Sequence, residues 1–256
     1  MDTPGKIEIN KCNILGVDVA VINMAEAVEK IVNYLPEIKG RYICVSNVHT
    51  IVMASKDEFY RDVQNSGYMV LPDGKPLSVV SRLKGFSSAQ RVTGPDLMHQ
   101  IFNFSEKMPI RHFFYGSTDK TLDSLKNGLK DKYPELLIAG MYSPPFRALT
   151  DEEDNEIIDL INQANPDLIW VGLGAPKQEI WMYNHQDKLD GLMVGVGAGF
   201  DYYANNIKRA PSWMQSLSLE WLYRLIQEPK RLWKRYLVYN TRFVYLVIKE
   251  AVTGSA

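Results

Sequence analysis

Residues 166–201 read PDLIWVGLGAPKQEIWMYNHQDKLDGLMVGVGAGFD, and this stretch limits the possible folds more than any other. Asp167–Leu173 and Leu192–Val196 are apolar runs too short for globular helices and rich in the residue types of buried strands. Between them Pro176 opens a helical segment, its fixed φ suiting a first turn. A strand–helix–strand unit with glycine turns after both strands belongs to a parallel sheet, where ligands bind beyond the strand C-termini. Gly172, Gly174, Gly197 and Gly199 are expected to let a ligand approach the backbone closely.

The rest of the chain repeats this alternation. Strands are expected at Tyr42–Val45, Tyr68–Leu71, Arg111–Tyr115 and Leu136–Ala139. Helices are expected at Met24–Leu35 behind an Asn23 cap, His49–Lys56, Glu58–Asn65 and Pro76–Leu83. Three more follow: one opened by Pro95 and running to Phe104, Asp119–Lys132, and Asp151–Ala164 behind a Thr150/Glu153 capping box. Ile7–Ile9 and Cys12–Leu15 are expected as a hairpin or paired edge strands around Asn10-Lys11. The fold class is therefore α/β, a mostly parallel sheet with helices on both faces. Strand signals stop after Asp201, and two helices, Ser212–Gln227 and Lys230–Lys249, form an appendage. The expected division is 1–207 for the α/β domain and 208–256 for the appendage.

Charge separates these two parts. The 256-residue chain carries a net charge of −1, which argues against a dedicated nucleic-acid binder. Residues 208–256 hold nine Lys/Arg and three acids, a local +6 against −7 for the remainder. Aromatics are interleaved among these cations, including Trp213, Trp221, Trp233 and Tyr236. Such a segment suits an anionic lipid surface, with arginines reaching a ligand, or else a subunit interface of a homo-oligomer. Arg231 and Arg235 are i, i+4 and share a helix face; Arg224 lies one helix earlier. No apolar run reaches the ~20 residues of a spanning helix, and the N-terminal residues lack a signal-peptide pattern. Cys12 and Cys44 sit in apolar runs and are expected as buried thiols in a reducing cytoplasm.

Several motifs carry candidate chemistry. Gly195-Val-Gly197-Ala-Gly199-Phe200 fails the dinucleotide fingerprint at its third glycine, and no Walker A sequence occurs. Gly174-Ala-Pro176-Lys177-Gln178 can meet phosphate through N–H groups and Lys177, with Gln178 reaching sugar hydroxyls or a base edge; the alternative is an ordinary turn. Asp73, in Leu71-Pro72-Asp73-Gly74, stands at a strand tip as a candidate general base, or as plain turn chemistry. Asn47 and His49 are neighbours at the preceding tip, where His49 also reads as a structural or capping residue. Arg91-Val-Thr93-Gly94-Pro95-Asp96 offers a second anion site, and Asp201 a second strand-end carboxylate or an N-cap. No Asp-x-Asp pair is present to hold a divalent metal on a diphosphate, which favours neutralisation by Arg, Lys and N–H groups.

Taken in order, these motifs resemble the WecG/TagA/CpsF glycosyltransferases over nearly the whole chain. The resemblance rests on Asn47-Val-His-Thr50, Leu71–Gly74, Arg91–Asp96, Gly172–Glu179, Gly195–Asp201, Arg209-Ala-Pro211, Leu219–Arg224 and Glu228–Tyr236. It implies a Rossmann-like domain of the GT-E type and an inverting, metal-independent transferase without cofactor. Such an enzyme moves a sugar, often N-acetylmannosamine, from a UDP donor to an undecaprenyl-diphosphate-linked acceptor sugar in teichoic acid or surface polysaccharide synthesis. It also implies Asp73 as base and a donor pocket lined by Asn47, Arg91, Gln178 and Asp201. Arg224, Arg231 and Arg235 would stand near the diphosphates, on an appendage docked to the inner face of the cell membrane. UDP-glucose or UDP-N-acetylmannosaminuronic acid are alternative donors. A nucleotide-binding membrane scaffold without turnover is the alternative from another class.

Overall fold

The computed structural model describes residues 9–216 and 219–253, with the side chains of Ser212, Ser216, Arg231 and Arg235 outside the described set. The first described elements form an antiparallel hairpin, β1 (Lys11–Ile14) and β2 (Val17–Ala20). Its turn is Leu15-Gly16, not Asn10-Lys11 as expected. Both turn residues have positive φ, 53° and 88°, as a tight two-residue hairpin turn requires. Leu15 hides this signal in the sequence, because a bulky apolar residue seldom takes that conformation. Of the expected first strand, residues 7 and 8 lie outside the described residues.

The main sheet has six strands, all parallel, in the order β4-β3-β8-β7-β5-β6. They are β3 (Tyr42–Ser46), β4 (Met69–Pro72), β5 (Arg111–Gly116), β6 (Leu137–Tyr142), β7 (Leu168–Gly172) and β8 (Leu192–Gly195). Alternate residues enter opposite cores. Ile43, Val45, Trp170 and Val194 face one side, and Tyr42, Cys44, Val171 and Met193 the other. Both faces are covered, so the strands are mostly apolar. The first core is closed by α1 (Met24–Asn33), α5 (Gly94–Ser105), α6 (Asp119–Lys132) and α9 (Gly199–Tyr203). The second is closed by the hairpin, α2 (Val48–Ala54), α3 (Glu58–Ser66), α4 (Lys75–Leu83), α7 (Asp151–Gln163) and α8 (Lys177–His185). Cys12 and Cys44 are free and buried in this second core.

Local capping works as the sequence predicts. Asn23 and Glu26 form a capping box on α1, and Thr150 and Glu153 form one on α7. Pro176 sits at the N-cap of α8, one residue earlier than expected, after a cis Ala175–Pro176 bond. The short helix α9 has no counterpart in the sequence reading. The expected helix Ser212–Gln227 is two, α10 (Ser212–Ser216) and α11 (Glu220–Gln227). The last helix, α12 (Pro229–Thr253), packs on α2, with Leu232 and Phe243 buried. Among the described residues, no helix is long and apolar enough to cross a membrane.

Candidate active site

The strand exits define where a ligand fits. The chain leaves β3, β4 and β7 toward the second core, through α2, α4 and α8. It leaves β8 toward the first core, through α9. The tips of β3 and β8 are adjacent and their loops part to opposite faces, which is the crevice where open α/β sheets bind ligands. Asp73 follows β4, Asn47 follows β3, Gly197 lies just beyond β8 and Gly174 just beyond β7, so four expected positions form one row across adjacent tips. The Asp73 N–H donates to the Ser46 carbonyl (2.7 Å), locking the first two tips together. The Val92 N–H donates to the Pro72 carbonyl (2.8 Å), which brings Arg91 to the same end.

The row contains two kinds of residue. Asn47 caps α2, its side-chain oxygen accepting from the His49 N–H at 3.0 Å. The His49 ring meets Tyr239 of α12 edge-on, centroids 4.4 Å apart, so His49 lies at the seam between α2 and the appendage. The Gln178 amide is committed to the protein: Oε1 accepts from the Gly174 N–H (3.1 Å) and the Gly197 N–H (3.0 Å), and Nε2 donates to Glu179 (2.9 Å). Asp201 is in the first turn of α9, not at its N-cap, and its Oδ1 accepts from Asn206 (3.0 Å). Lys177, by contrast, is exposed at the start of α8, and Asp73 is half-buried.

The glycines also divide. Gly174 and Gly197 have positive φ, 78° and 54°, and their Cβ positions meet nothing closer than the Gln178 oxygen at 3.7 Å. A ligand can approach there. Gly172 and Gly199 differ from expectation, because a Cβ on them would lie 2.8 Å from the Phe200 ring and 2.7 Å from the Met98 sulfur. Those two are small for packing and not for a ligand.

The appendage closes over this end of the sheet. Arg91 donates to Glu220 of α11 (2.5 Å), and Arg209 pairs with Asp96 while standing 3.8 Å from Glu220. Burial pushes the Asp96 carboxyl up, but hydrogen bonds from Arg209 and Thr93 outweigh it and hold its pKa below the usual carboxylate range. With Thr93 capping α5 and Asp96 beside it, an anion at this helix start would meet a carboxylate already in place. Arg224 lies over the Tyr202 ring, 5.9 Å from its centroid, and among the described residues its Nε has no hydrogen-bond partner. Burial raises the Tyr202 hydroxyl pKa; Arg224 opposes this, while Glu220, Asp73 and Tyr236 add to it. Tyr202 therefore stands between the β4 tip and the appendage, and the sequence reading missed it, as it missed Glu220. Arg231 and Arg235 lie on α12, but their side chains fall outside the described residues.

Two surface clefts lie away from this row. One, of about 630 Å³, runs between α6 and edge strand β6 past Asp123 and Lys126; the other, of about 560 Å³, runs between α1 and α5 past Val28 and Phe104. Among the described residues, no group of three or more His, Cys, Asp or Glu is arranged to hold a metal ion.

An all-parallel sheet with polar groups ranged along its C-terminal tips defines an α/β enzyme of the Rossmann-like kind. The chain belongs to the Glycosyl transferase WecG/TagA/CpsF family, whose model matches residues 12–256, and it is a glycosyltransferase. It is similar to the N-acetylglucosaminyldiphosphoundecaprenol N-acetyl-beta-D-mannosaminyltransferase of Bacillus subtilis (strain 168), 34% identical over 219 residues, 85% of this chain and 83% of that protein. Proteins of the same name from Bacillus spizizenii and Staphylococcus aureus (strain MW2) are 33% and 28% identical. The first covers 80% of this chain and 77% of its own length, the second 87% of each.

Proposed function

We propose that the protein transfers N-acetylmannosamine from a UDP donor to the N-acetylglucosamine of an undecaprenyl-diphosphate-linked acceptor. The activity named for its relatives supports the sugar and the acceptor. The observation that carries the chemistry is the position of Asp73, a half-buried carboxylate at a strand tip beside the β3/β8 crevice. Asp73 takes the proton of the acceptor hydroxyl. The hydroxyl oxygen bonds to the anomeric carbon as the bond to the UDP oxygen breaks, and UDP leaves with the electron pair. Attack opposite the leaving group inverts the anomeric centre. Lys177, Arg91 and Arg224 meet the diphosphate charge, with Arg231 and Arg235 assigned to the same task by their place on α12. The open backbone at Gly174 and Gly197 lets the donor lie close to the sheet. Asn47 and His49 support the wall beside the base, and Gln178 and Asp201 fix the turns beyond it.

The exposed Trp233, Leu237, Tyr245 and Ile248 of α12, with the basic charge of residues 208–256, support docking on an anionic membrane. A lipid-linked acceptor and a nucleotide donor support a position of that surface on the inner face of the cell membrane. The test is turnover of a panel of UDP-sugars on a lipid-diphosphate-linked N-acetylglucosamine acceptor, in wild type and Asp73→Asn. UDP-N-acetylmannosamine should be the preferred donor, and the variant should lose ~10²–10⁴-fold in rate while remaining folded. Preference for another UDP-sugar would reassign the donor, and a variant near wild type would remove Asp73 as base.

A further inference from the structure

Glu179 follows Gln178 in the sequence and is fully buried, yet the transfer reaction itself gives it no role. Its surroundings do. The N–H groups of Gly174 and Gly197 can only donate, so the Gln178 side chain must turn its oxygen toward them. Its nitrogen must then face an acceptor, and it meets Glu179 Oε1 at 2.9 Å. From the other side, Ser46 donates to Gln64 Oε1 (2.5 Å), Gln64 Nε2 donates to Tyr60 Oη (3.0 Å), and Tyr60 donates to Glu179 Oε2 (3.2 Å). Two chains of donors thus converge on one carboxylate. The Glu179 carboxyl group offers an acceptor at both oxygens; an amide in its place would supply one acceptor oxygen where two are needed. Ser46, Gln64 and Glu179 are fully buried and Gln178 is 3% exposed, so no water relieves a mismatch. The ends of this network are the β3 tip, the β7 turn and the β8 turn, three sides of the crevice.

We propose that Glu179 is a positioning residue: its carboxylate sets the direction of the Gln178 amide, which fixes the β7 and β8 turns at the spacing the donor needs. The proposal rests on the reading that a UDP-sugar binds along these tips. The donor meets a wall that is formed before it arrives, and Gln178 acts by holding backbone rather than by touching substrate.

The test exchanges the two side chains. Glu179→Gln leaves one donor facing a donor. Gln178→Glu sets two carboxylates against each other. The double exchange, Gln178→Glu with Glu179→Gln, restores each of these matches. The carboxylate moved to the first position would accept both glycine N–H groups and an N–H of the neighbouring amide. The oxygen of that amide, now at the second position, would accept from Tyr60. Kinetics are measured well below the melting temperature of the weakest variant, alongside amide hydrogen exchange at Gly174 and Gly197. Each single exchange should raise the donor KM about 10-fold, leave the acceptor KM within about twofold, and speed exchange at both glycines; the double should recover most of each effect. Singles that only melt earlier, with donor KM unchanged, would make the network purely structural and overturn the proposal. A double no better than the worse single would overturn the account of hydrogen-bond direction. If wild type neither binds UDP nor uses a UDP-sugar, the donor reading fails. Exchange at the two glycines then decides the positioning role by itself.

Discussion

His112 sets a pH liability in the core whose size follows from its contacts. The ring is fully buried, stacked with Trp170 at 6.1 Å and edge-on to Phe102 at 5.3 Å. Trp170 Nε1–H donates to Nδ1 at 3.0 Å, so that nitrogen carries no proton. Nε2–H then donates to Ser105 Oγ at 2.9 Å, while Ser105 donates onward to the Ile101 carbonyl. The neutral tautomer is fixed, and burial pushes the pKa down to about 3. The unfolded chain has a value near 6.5. The folded pKa lies below the unfolded one, so this group adds no pH dependence above about pH 6.5. As pH falls from there toward about 3, the unfolded chain takes a proton that the folded chain refuses. Stability then falls by ~1.4 kcal/mol per unit. At about pH 4.5 the loss is ~2.7 kcal/mol, a large part of a typical ~5–15 kcal/mol. The assay is urea unfolding of wild type and His112→Gln at several pH values. The variant should be weaker by ~1–3 kcal/mol near neutrality, from lost packing and hydrogen bonds. Groups common to both proteins cancel in the difference, so the gap should close by ~2.7 kcal/mol between about pH 7.5 and 4.5. Parallel stability curves would refute the fixed neutral histidine.

Other perturbations test the site and its cover. Glu220→Gln frees Arg91 from a partly buried pair worth ~1 kcal/mol, so UDP affinity by calorimetry should rise roughly fivefold; a fall would mean that Glu220 holds Arg91 ready for the diphosphate. Gly116→Ala adds a Cβ 2.7 Å from the Gly172 backbone at a φ of 120°, and should cost ~2 kcal/mol or more in urea unfolding. An undiminished midpoint would show that the β5 and β7 tips can part. Trp233 and Leu237 are 52% and 69% exposed, and replacing both by Ser should remove flotation with anionic vesicles while leaving UDP affinity unchanged. Unchanged flotation would take the membrane surface off this face of α12.

What was legible in the sequence was local or periodic. The Thr150/Glu153 box needs only four consecutive residues, and the structure contains it. Strand identity followed from short apolar runs, and both sheet faces are indeed buried. The strand order was not legible, because β8 finds its place beside β3 only after the intervening chain has crossed the sheet. The hairpin turn failed because Leu15 gives no turn signal. Glycine content marks the loops at the strand tips, but only φ and neighbours separate Gly174, which is open, from Gly172, which is filled by Phe200. Arg91 reads from sequence as a cation at a helix start; its partner Glu220 is 129 residues away, and nothing local announces it.

The division among the polar groups suggests how the work is shared. On the sheet edge, Gln178, Glu179, Asn47 and Asp201 commit hydrogen bonds to neighbouring turns, so their ordering is complete once the chain has folded. A site with that much of its polar surface already paired has little left to reorganise when a charged donor enters. On the proposed function, the charge that answers a diphosphate comes from groups whose pairing can change. Lys177 is exposed, and Arg224 keeps an Nε without a partner among the described residues. Arg91 is held by a carboxylate on a different element, α11. A rigid wall on the sheet and exchangeable cations at the appendage would couple the arrival of a membrane-bound acceptor to the electrostatics of the donor site. On that account, Glu220→Gln should weaken the dependence of donor KM on anionic vesicles, because Arg91 would no longer need α11 to move before it is released.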